Sequence, residues 1–381
     1  MIDFSTNQIA IYTKNETISY RQLFSLIKKC DLTTNIFYAP SSVETIVKII
    51  ALLLAKKTIF PLSPREPKLP NILSYPNTIC TCLQTSGTTN KPKFAMHTWE
   101  NHYISATNPH PDLKLIPSDK WFLSLPLNHI GGFAILLRTF LANAAVILPD
   151  AAPTNATHIS FVPTQLKRYL KNPYPLPHLK AILLGGAPIP ESLCQMCYQL
   201  GLPLYLTYGM TEMSSQIATQ LYNPSIGITF GSPLTQRTIK IFTNNEVWVK
   251  GKTLFTGYLN QPLILKDGYF NTKDIGEMTK HGLIIKGRKD RMIISGGENI
   301  YLEEIEQCLM NISEISQAFL SSRRDPEFGQ RPVAHLPLNK PIKAEKLQEK
   351  LQETLPKYKI PFLDDFVLRQ SSLQNLDLAK Y

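Results

Sequence analysis

The sequence predicts an α/β protein. A large N-terminal domain of mainly parallel, helix-covered sheets with a small β-subdomain precedes a small α+β C-terminal domain. Three observations carry this. Between residues 121 and 207, strand-like apolar runs alternate with helix-like ones, and such alternation builds parallel sheets covered by helices. From about residue 237 short strands are joined by Asn244-Asn245, Asp267-Gly268 and His281-Gly282, the turn chemistry of antiparallel hairpins. After Arg288-Lys289-Asp290 a third texture mixes strands with charged helices. The domain boundary is therefore placed at 288–290, dividing the chain into 1–288 and 289–381, and a length of 381 residues suits two or three domains.

The elements follow in order. Residues 20–29 put Leu23, Leu26 and Ile27 on one helical face, and 43–54 repeat the pattern with Val43, Ile46, Val47 and Ile50. A strand over Thr58–Leu62, a Pro-rich loop over 61–70 and a buried strand over Thr78–Leu83 come next. Strand-then-helix units are expected at Trp121–Leu125 with Phe133–Leu141, His158–Val162 with Thr164–Leu170, and Ala181–Leu184 with Pro190–Leu200. Val146–Leu148 adds a strand, and Leu204–Thr207 a strand followed by a turn. Past the boundary the pattern predicts strands at Met292–Ile294, Ala318–Ser321 and Pro332–Leu336, with helices at 302–310 and 343–355.

Composition narrows the function. Hydrophobic residues make up 43% and charged residues 18%, enough for a sizeable core. A net charge of +11 favours anionic partners. No basic run is interleaved with aromatics, which argues against nucleic acid. Cys194 and Cys197 have C-x-x-C spacing without a second pair, so buried thiols in a reducing compartment are expected rather than a zinc site. The N-terminus lacks a signal-peptide pattern, and the most apolar run, Ile46–Leu54, is too short to span a bilayer. These features predict a cytoplasmic protein with no membrane span.

In folds of this kind ligands bind at the carboxyl ends of strands, and five stretches lie there. Thr85-Ser86-Gly87-Thr88-Thr89-Asn90-Lys91-Pro92-Lys93 gathers hydroxyls, a glycine and cations. That set suits a polyphosphate, and by itself it equally suits a polar turn between strands. His129 sits beside Gly131-Gly132, in position to gate a pocket. Gly185-Gly186-Ala187 allows a flat ring to lie on the backbone, or makes a tight turn. In Tyr208-Gly209-Met210-Thr211-Glu212, Tyr208 can stack on a base, Thr211 can donate to phosphate or cap a helix, and Glu212 is a hard oxygen ligand for Mg²⁺. Asp274 can accept from ribose hydroxyls. Gly287-Arg288-Lys289-Asp290 and Ser295-Gly296-Gly297 follow.

In this order the stretches closely resemble the adenylate-forming ligase superfamily, from Thr17 to the chain end. Within it the chain looks most like the o-succinylbenzoate–CoA ligases of menaquinone synthesis. Leu125–Gly132, His158–Leu166, Met213–Gln216, Ile293–Tyr301 and Phe328–Gln330 carry that finer likeness. The resemblance implies an AMP-forming acid–CoA ligase with ATP, Mg²⁺ and CoA as co-substrates and a small carboxylic acid as substrate. Thr85, Ser86, Gly87, Thr88, Thr89 and Lys93 would hold the phosphates, with Mg²⁺ near Thr88 and Glu212. Tyr208, Gly209, Gly185, Gly186 and Ala187 would frame adenine, and Asp274 and Arg288 would fix the ribose. The catalytic set implied is Lys380, Thr211, Glu212 and the pocket gate His129. The C-terminal domain would be mobile, turning about Asp290 to bring Gly296-Gly297 to the site for CoA. Thr164, Gln165, Ser215 and Gln216 are expected to line the acid pocket with His129. None of these is Arg or Lys, so neutral donors would recognise a second carboxylate. Phe94, where the family has glycine, is expected to narrow the site.

Overall fold

The computed structural model describes residues 2–63, 74–85, 93–312, 314–315, 317–336 and 344–361. Ser86, Gly87, Thr88, Thr89 and Lys380 lie outside them.

The largest sheet has eight strands. Their spatial order is Ser215–Leu221, Leu204–Met210, Ala181–Leu184, His158–Phe161, Lys120–Phe122, Ala145–Ile147, Ile9–Tyr12 and Thr17–Ser19. Pairing is parallel from Leu204–Met210 through to Ile9–Tyr12, and the two outermost strands are antiparallel. Ala181–Leu184 and His158–Phe161 are buried at every residue, as strands covered on both faces must be. Helix Ile130–Leu141 delivers Phe133, Leu136, Leu137 and Phe140 to a core that also holds Trp121 and Ile11. Each such side chain contributes roughly 1.5–3 kcal/mol when fully buried. Gly132 is required at the start of that helix: a Cβ there would lie 2.2 Å from the Pro126 carbonyl oxygen. Helices Pro163–Lys171 and Glu191–Gln199 supply Leu166, Tyr169, Leu193, Cys194 and Cys197 to a second cluster. Both cysteines are free, and burial pushes the Cys197 thiol up to about 12.

Strand Ile79–Thr85 pairs antiparallel with Lys93–Thr98, whose other neighbour is Gly257–Tyr258. Alternation along the strand separates Lys93 from Phe94. Phe94 does not narrow the site: it is buried with Phe60, Ile79 and Cys82. Helix Trp99–Thr107 follows directly, with Thr98 and Asn101 forming a capping box.

Strands Arg237–Ile241, Glu246–Gly251, Phe270–Thr279 and Gly282–Arg288 form an antiparallel sheet, matching the predicted β-subdomain. A last antiparallel sheet, Glu298–Tyr301, Met292–Ser295, Gly329–His335 and Phe319–Asp325, carries helices Leu302–Met310 and Ala344–Gln352 and has its own core around Ile300, Ile305 and Leu347. Asp290 lies in the short 3-10 turn Lys289–Arg291 between these two sheets. The C-terminal unit touches the main body through Lys167, whose Nζ donates to the Ile315 carbonyl at 2.7 Å. Ser192 Oγ also donates to Asn311 Oδ1 at 2.7 Å. Among the described residues no helix is long and apolar enough to cross a membrane.

Candidate active site

A cavity of about 910 Å³ opens where the parallel strands end, and the separate stretches converge on it. Its wall includes Thr85, Lys93, His129, Gln165, Gly185, Gly186, Ala187, Tyr208, Gly209, Thr211, Glu212, Ser215, Gln216, Asp274, Arg288 and Asp290. Side chains from the C-terminal unit, Glu303 and Gln307, close one side.

Four polar groups meet beside the turn at 289–291. Tyr208 Oη donates to Asp274 Oδ2 at 2.5 Å, and Arg288 Nη1 lies 3.4 Å from Asp274 Oδ1. Arg288 also clasps Asp290 through Nε and Nη2 at 2.9 and 2.8 Å. Burial raises the Asp274 carboxyl above its ordinary range, opposed by the Tyr208 bond and Arg288. Burial and Asp274 together push the Tyr208 phenol well up, so it remains a donor. The Asp290 hydrogen bond, then Asp274, keeps Arg288 firmly charged against the cost of burial. A carboxylate has about four lone-pair sites, so Asp274 retains acceptor capacity toward the cavity.

Strand Leu204–Met210 runs into the 3-10 turn Thr211–Met213 and then the antiparallel strand Ser215–Leu221. Thr211 is not a helix N-cap. No α-helix follows, because Ser214 turns left-handed at φ 52° and Ser215 has φ 106°. Gly209 admits this reversal: a Cβ there would lie 2.2 Å from the Ser215 carbonyl oxygen. The Glu212 carboxylate is mostly buried and accepts the Tyr258 hydroxyl. Lys93 Nζ lies 5.1 Å from the centroid of the same Tyr258 ring, a cation–π distance. Among the described residues no cluster of three or more His, Cys, Asp or Glu could hold a metal ion. One carboxylate facing a cavity fits a Mg²⁺ delivered with phosphates, the usual mode for that ion. It does not fit a resident all-protein cage.

The acid-pocket expectations change most. Arg138, two turns into helix Ile130–Leu141, lines the cavity although only 5% exposed. Its Nη2 donates to Ser215 Oγ at 3.3 Å, its guanidinium lies 5.9 Å from the Trp121 ring centroid, and its Nε has no partner. Among the described residues no carboxylate lies within ion-pair distance of it. Burial, then Arg237, lowers its pKa to about 9. The pocket therefore holds a cation where only neutral donors were expected. Gln216 is in the wall, but its amide nitrogen donates to Thr219 Oγ1 at 2.8 Å and Thr207 Oγ1 at 3.3 Å, so its donors are spent. Gln165 donates to the Ser124 carbonyl and accepts from Val162 N, which fixes it at the helix start. Thr164 is absent from the wall, since adjacent helical residues diverge by about 100°. Gly296 and Gly297 are also absent: they form the exposed turn between Met292–Ser295 and Glu298–Tyr301.

The sequence profile of the AMP-binding enzyme family matches residues 39–259. The 2-succinylbenzoate–CoA ligase of Haemophilus influenzae is 38% identical over 296 residues, 74% of this chain and 65% of that protein. The Escherichia coli protein of the same name is 39% identical over 271 residues, 68% of this chain and 58% of the relative. The chain thus spans less than two thirds of the length of these curated relatives. Among solved structures, an E. coli MenE variant with bound OSB-AMS superposes with a TM-score of 0.82 at 29% identity, covering 94% of this chain and 91% of that one. Bacillus subtilis MenE in complex with the acyl-adenylate intermediate OSB-AMP gives 0.81 at 27% identity, covering 94% and 91%.

Proposed function

Because the chain belongs to the AMP-binding enzyme family, we propose that it activates a carboxylic acid with ATP and transfers the acyl group to CoA. The acid we propose is o-succinylbenzoate, in menaquinone synthesis. The observation that carries the choice of acid is Arg138, a buried cation in the cavity wall with no carboxylate partner among the described residues. Such a charge is costly unless a ligand pairs it. A monocarboxylic acid spends its only carboxylate on the reaction; a dicarboxylic acid has a second one for Arg138 and Ser215. The relatives named 2-succinylbenzoate–CoA ligase support the same acid.

In the first half-reaction the substrate carboxylate attacks the α-phosphorus of ATP, and pyrophosphate leaves. Charge gathers on the phosphoryl oxygens, where aimed donors count most. Lys93 and the hydroxyl loop would hold the phosphates, and Thr211 would donate to the α-phosphate. Glu212 would hold Mg²⁺, which neutralises phosphate charge when bound. Tyr208 and the Gly185–Ala187 turn would flank adenine, and Asp274 would accept from the ribose hydroxyls with Arg288 holding it in place. His129, at the start of the Arg138 helix, would gate the acid pocket. Lys380 would bridge carboxylate and α-phosphate.

In the second half-reaction the CoA thiol loses its proton and attacks the acyl carbon, and AMP leaves. Gly296-Gly297 would have to approach for this, so we place a hinge at Asp290 between 1–288 and 289–381. Few contacts cross at such a hinge. Free cysteines fit a reducing compartment, and we place the protein in the cytoplasm.

Pyrophosphate release, measured with o-succinylbenzoate, benzoate and octanoate and with and without CoA, tests the proposal. It requires release with o-succinylbenzoate and a CoA thioester only when CoA is present. Comparable kcat/KM for benzoate or octanoate would defeat the choice of acid.

A further inference from the structure

We propose that His97 is a positioning residue for the phosphate side of the site, holding the Thr211–Glu212 turn to the strand that carries Lys93. The inference rests on the adenylate-forming reading above.

His97 is fully buried in strand Lys93–Thr98. It lies four residues from Lys93, and residues two and four apart share a face of a strand. Its Nε2 lies 2.7 Å from the Thr211 carbonyl oxygen. That atom must carry the proton, because a carbonyl can only accept. Behind it the His102 ring packs at 4.8 Å between centroids, and His102 Nε2 is 2.7 Å from Thr81 Oγ1. The imidazole is thus clamped from the rear and aims one N–H forward.

The turn it holds needs pins. Ser214 and Ser215 are consecutive non-glycine residues at positive φ, a conformation that persists only when neighbours over-determine it. The later half is pinned elsewhere: Phe255 N donates to the Glu212 carbonyl at 2.8 Å, Ser105 Oγ to the Ser214 carbonyl at 2.5 Å, and Ser214 Oγ to the Thr253 carbonyl at 3.0 Å. At Thr211 the carbonyl receives the turn's own bond from Ser214 N, and His97 is the bond from outside. Thr211 and Glu212 face the cavity with Lys93, so the one imidazole ties together the groups assigned to the phosphates and to Mg²⁺.

Three variants, read by calorimetry and by kinetics, test this. His97→Leu fills the space without a donor, His97→Gln places an amide N–H near the same point, and His97→Asn carries that amide on a shorter arm. For the leucine variant, affinity for a non-hydrolysable ATP analogue with Mg²⁺, read by calorimetry, should fall about 3- to 10-fold, the worth of one hydrogen bond, since the Thr211 carbonyl keeps its bond from Ser214 N. Its kcat/KM for ATP should fall similarly, while KM for the acid and thioester formation from supplied adenylate stay unchanged. Gln should restore nucleotide affinity and Asn should not. If the leucine variant does not fold, the Gln–Asn contrast decides alone. A glutamine variant as impaired as the other two, or a loss shared equally by KM for the acid, would reduce His97 to core filling and overturn the proposal. Failure of the wild type to release pyrophosphate would refute the adenylating reading instead, while calorimetry would still report on His97.

Discussion

Replacing Arg138 by Met should move activity and stability in opposite directions. The guanidinium is buried beside Arg237 with no carboxylate in reach among the described residues, and burial, then Arg237, holds its pKa down to about 9. That lowering marks a penalty of roughly a few kcal/mol on the charged form unless a carboxylate pairs it. Methionine follows the same unbranched path two atoms less far, carries no charge and adapts to irregular spaces. The loss of the 3.3 Å bond to Ser215 and of the Trp121 contact offsets part of the gain. The melting temperature should therefore hold or rise, since removing a buried unpaired charge orphans no counter-ion. Activity should fall: truncating one partner of a buried charge pair costs about 2–5 kcal/mol, roughly 30-fold to a few thousand-fold in kcat/KM. The assay is pyrophosphate release with o-succinylbenzoate and with an analogue whose unreactive carboxylate is a methyl ester. The wild type should favour the diacid strongly and the variant hardly at all. Saturating diacid should also raise the melting temperature of the wild type more than that of the variant. An equal loss for both acids, or a much less stable variant that still discriminates between them, would refute the assignment.

Two further outcomes follow from other parts of the structure. Burial lowers the pKa of His97 and His158 to about 4 and that of His102 well below 6.5. The unfolded chain then binds more protons below pH 6.5, so stability conferred by these neutral imidazoles is lost as pH falls from 6.5 toward 4. At pH 5 His97 and His158 should each cost about 2 kcal/mol, and urea melts at pH 7 and pH 5 that share one midpoint would contradict their burial as neutral groups. Asp290→Pro removes both the carboxylate that Arg288 clasps and a free φ at the turn. It should spare adenylate formation and slow the CoA step, and normal thioester synthesis would remove residue 290 as the hinge.

What could be read in advance follows from how each residue satisfies its surroundings. Ala181–Leu184 was legible because a strand buried on both faces reads as a continuous apolar run. Strand Ser215–Leu221 is not among the expected strands, because Gln216, Thr219 and Gln220 break any apolar alternation in the run; Gln216 and Thr219 look too polar for a core. In the fold they are buried and bonded to each other, and Gln216 also reaches Thr207 on the neighbouring strand. Hydrophobic patterning is blind to such pairs. Strand Lys93–Thr98 is expected only as the far side of a polar turn, because Lys93 reads as the end of the hydroxyl loop. The convergence of Tyr208, Asp274 and Arg288 was legible from their order and residue types, whereas the contacts that join them depend on tertiary structure. Arg138 was missed because a lone arginine on a helix normally marks the wet face. The available signal was negative: Phe133–Leu141 has apolar residues on every side and no polar stripe for the arginine to belong to.

The contact at Gly132 gives that helix a further meaning. The glycine seats one end of a rigid rod against the Leu125-Pro126 backbone, and Arg138 stands six residues along it, about 9 Å at 1.5 Å per residue. The rod works as a gauge: the depth at which its foot sits sets how far the charge reaches into the cavity. An alanine at 132 would lift the foot and carry the guanidinium with it, changing which length of acid fits without altering any residue that touches the acid. On the proposed reading, selectivity among acids would be adjustable from outside the pocket, at the position that looks least chemical.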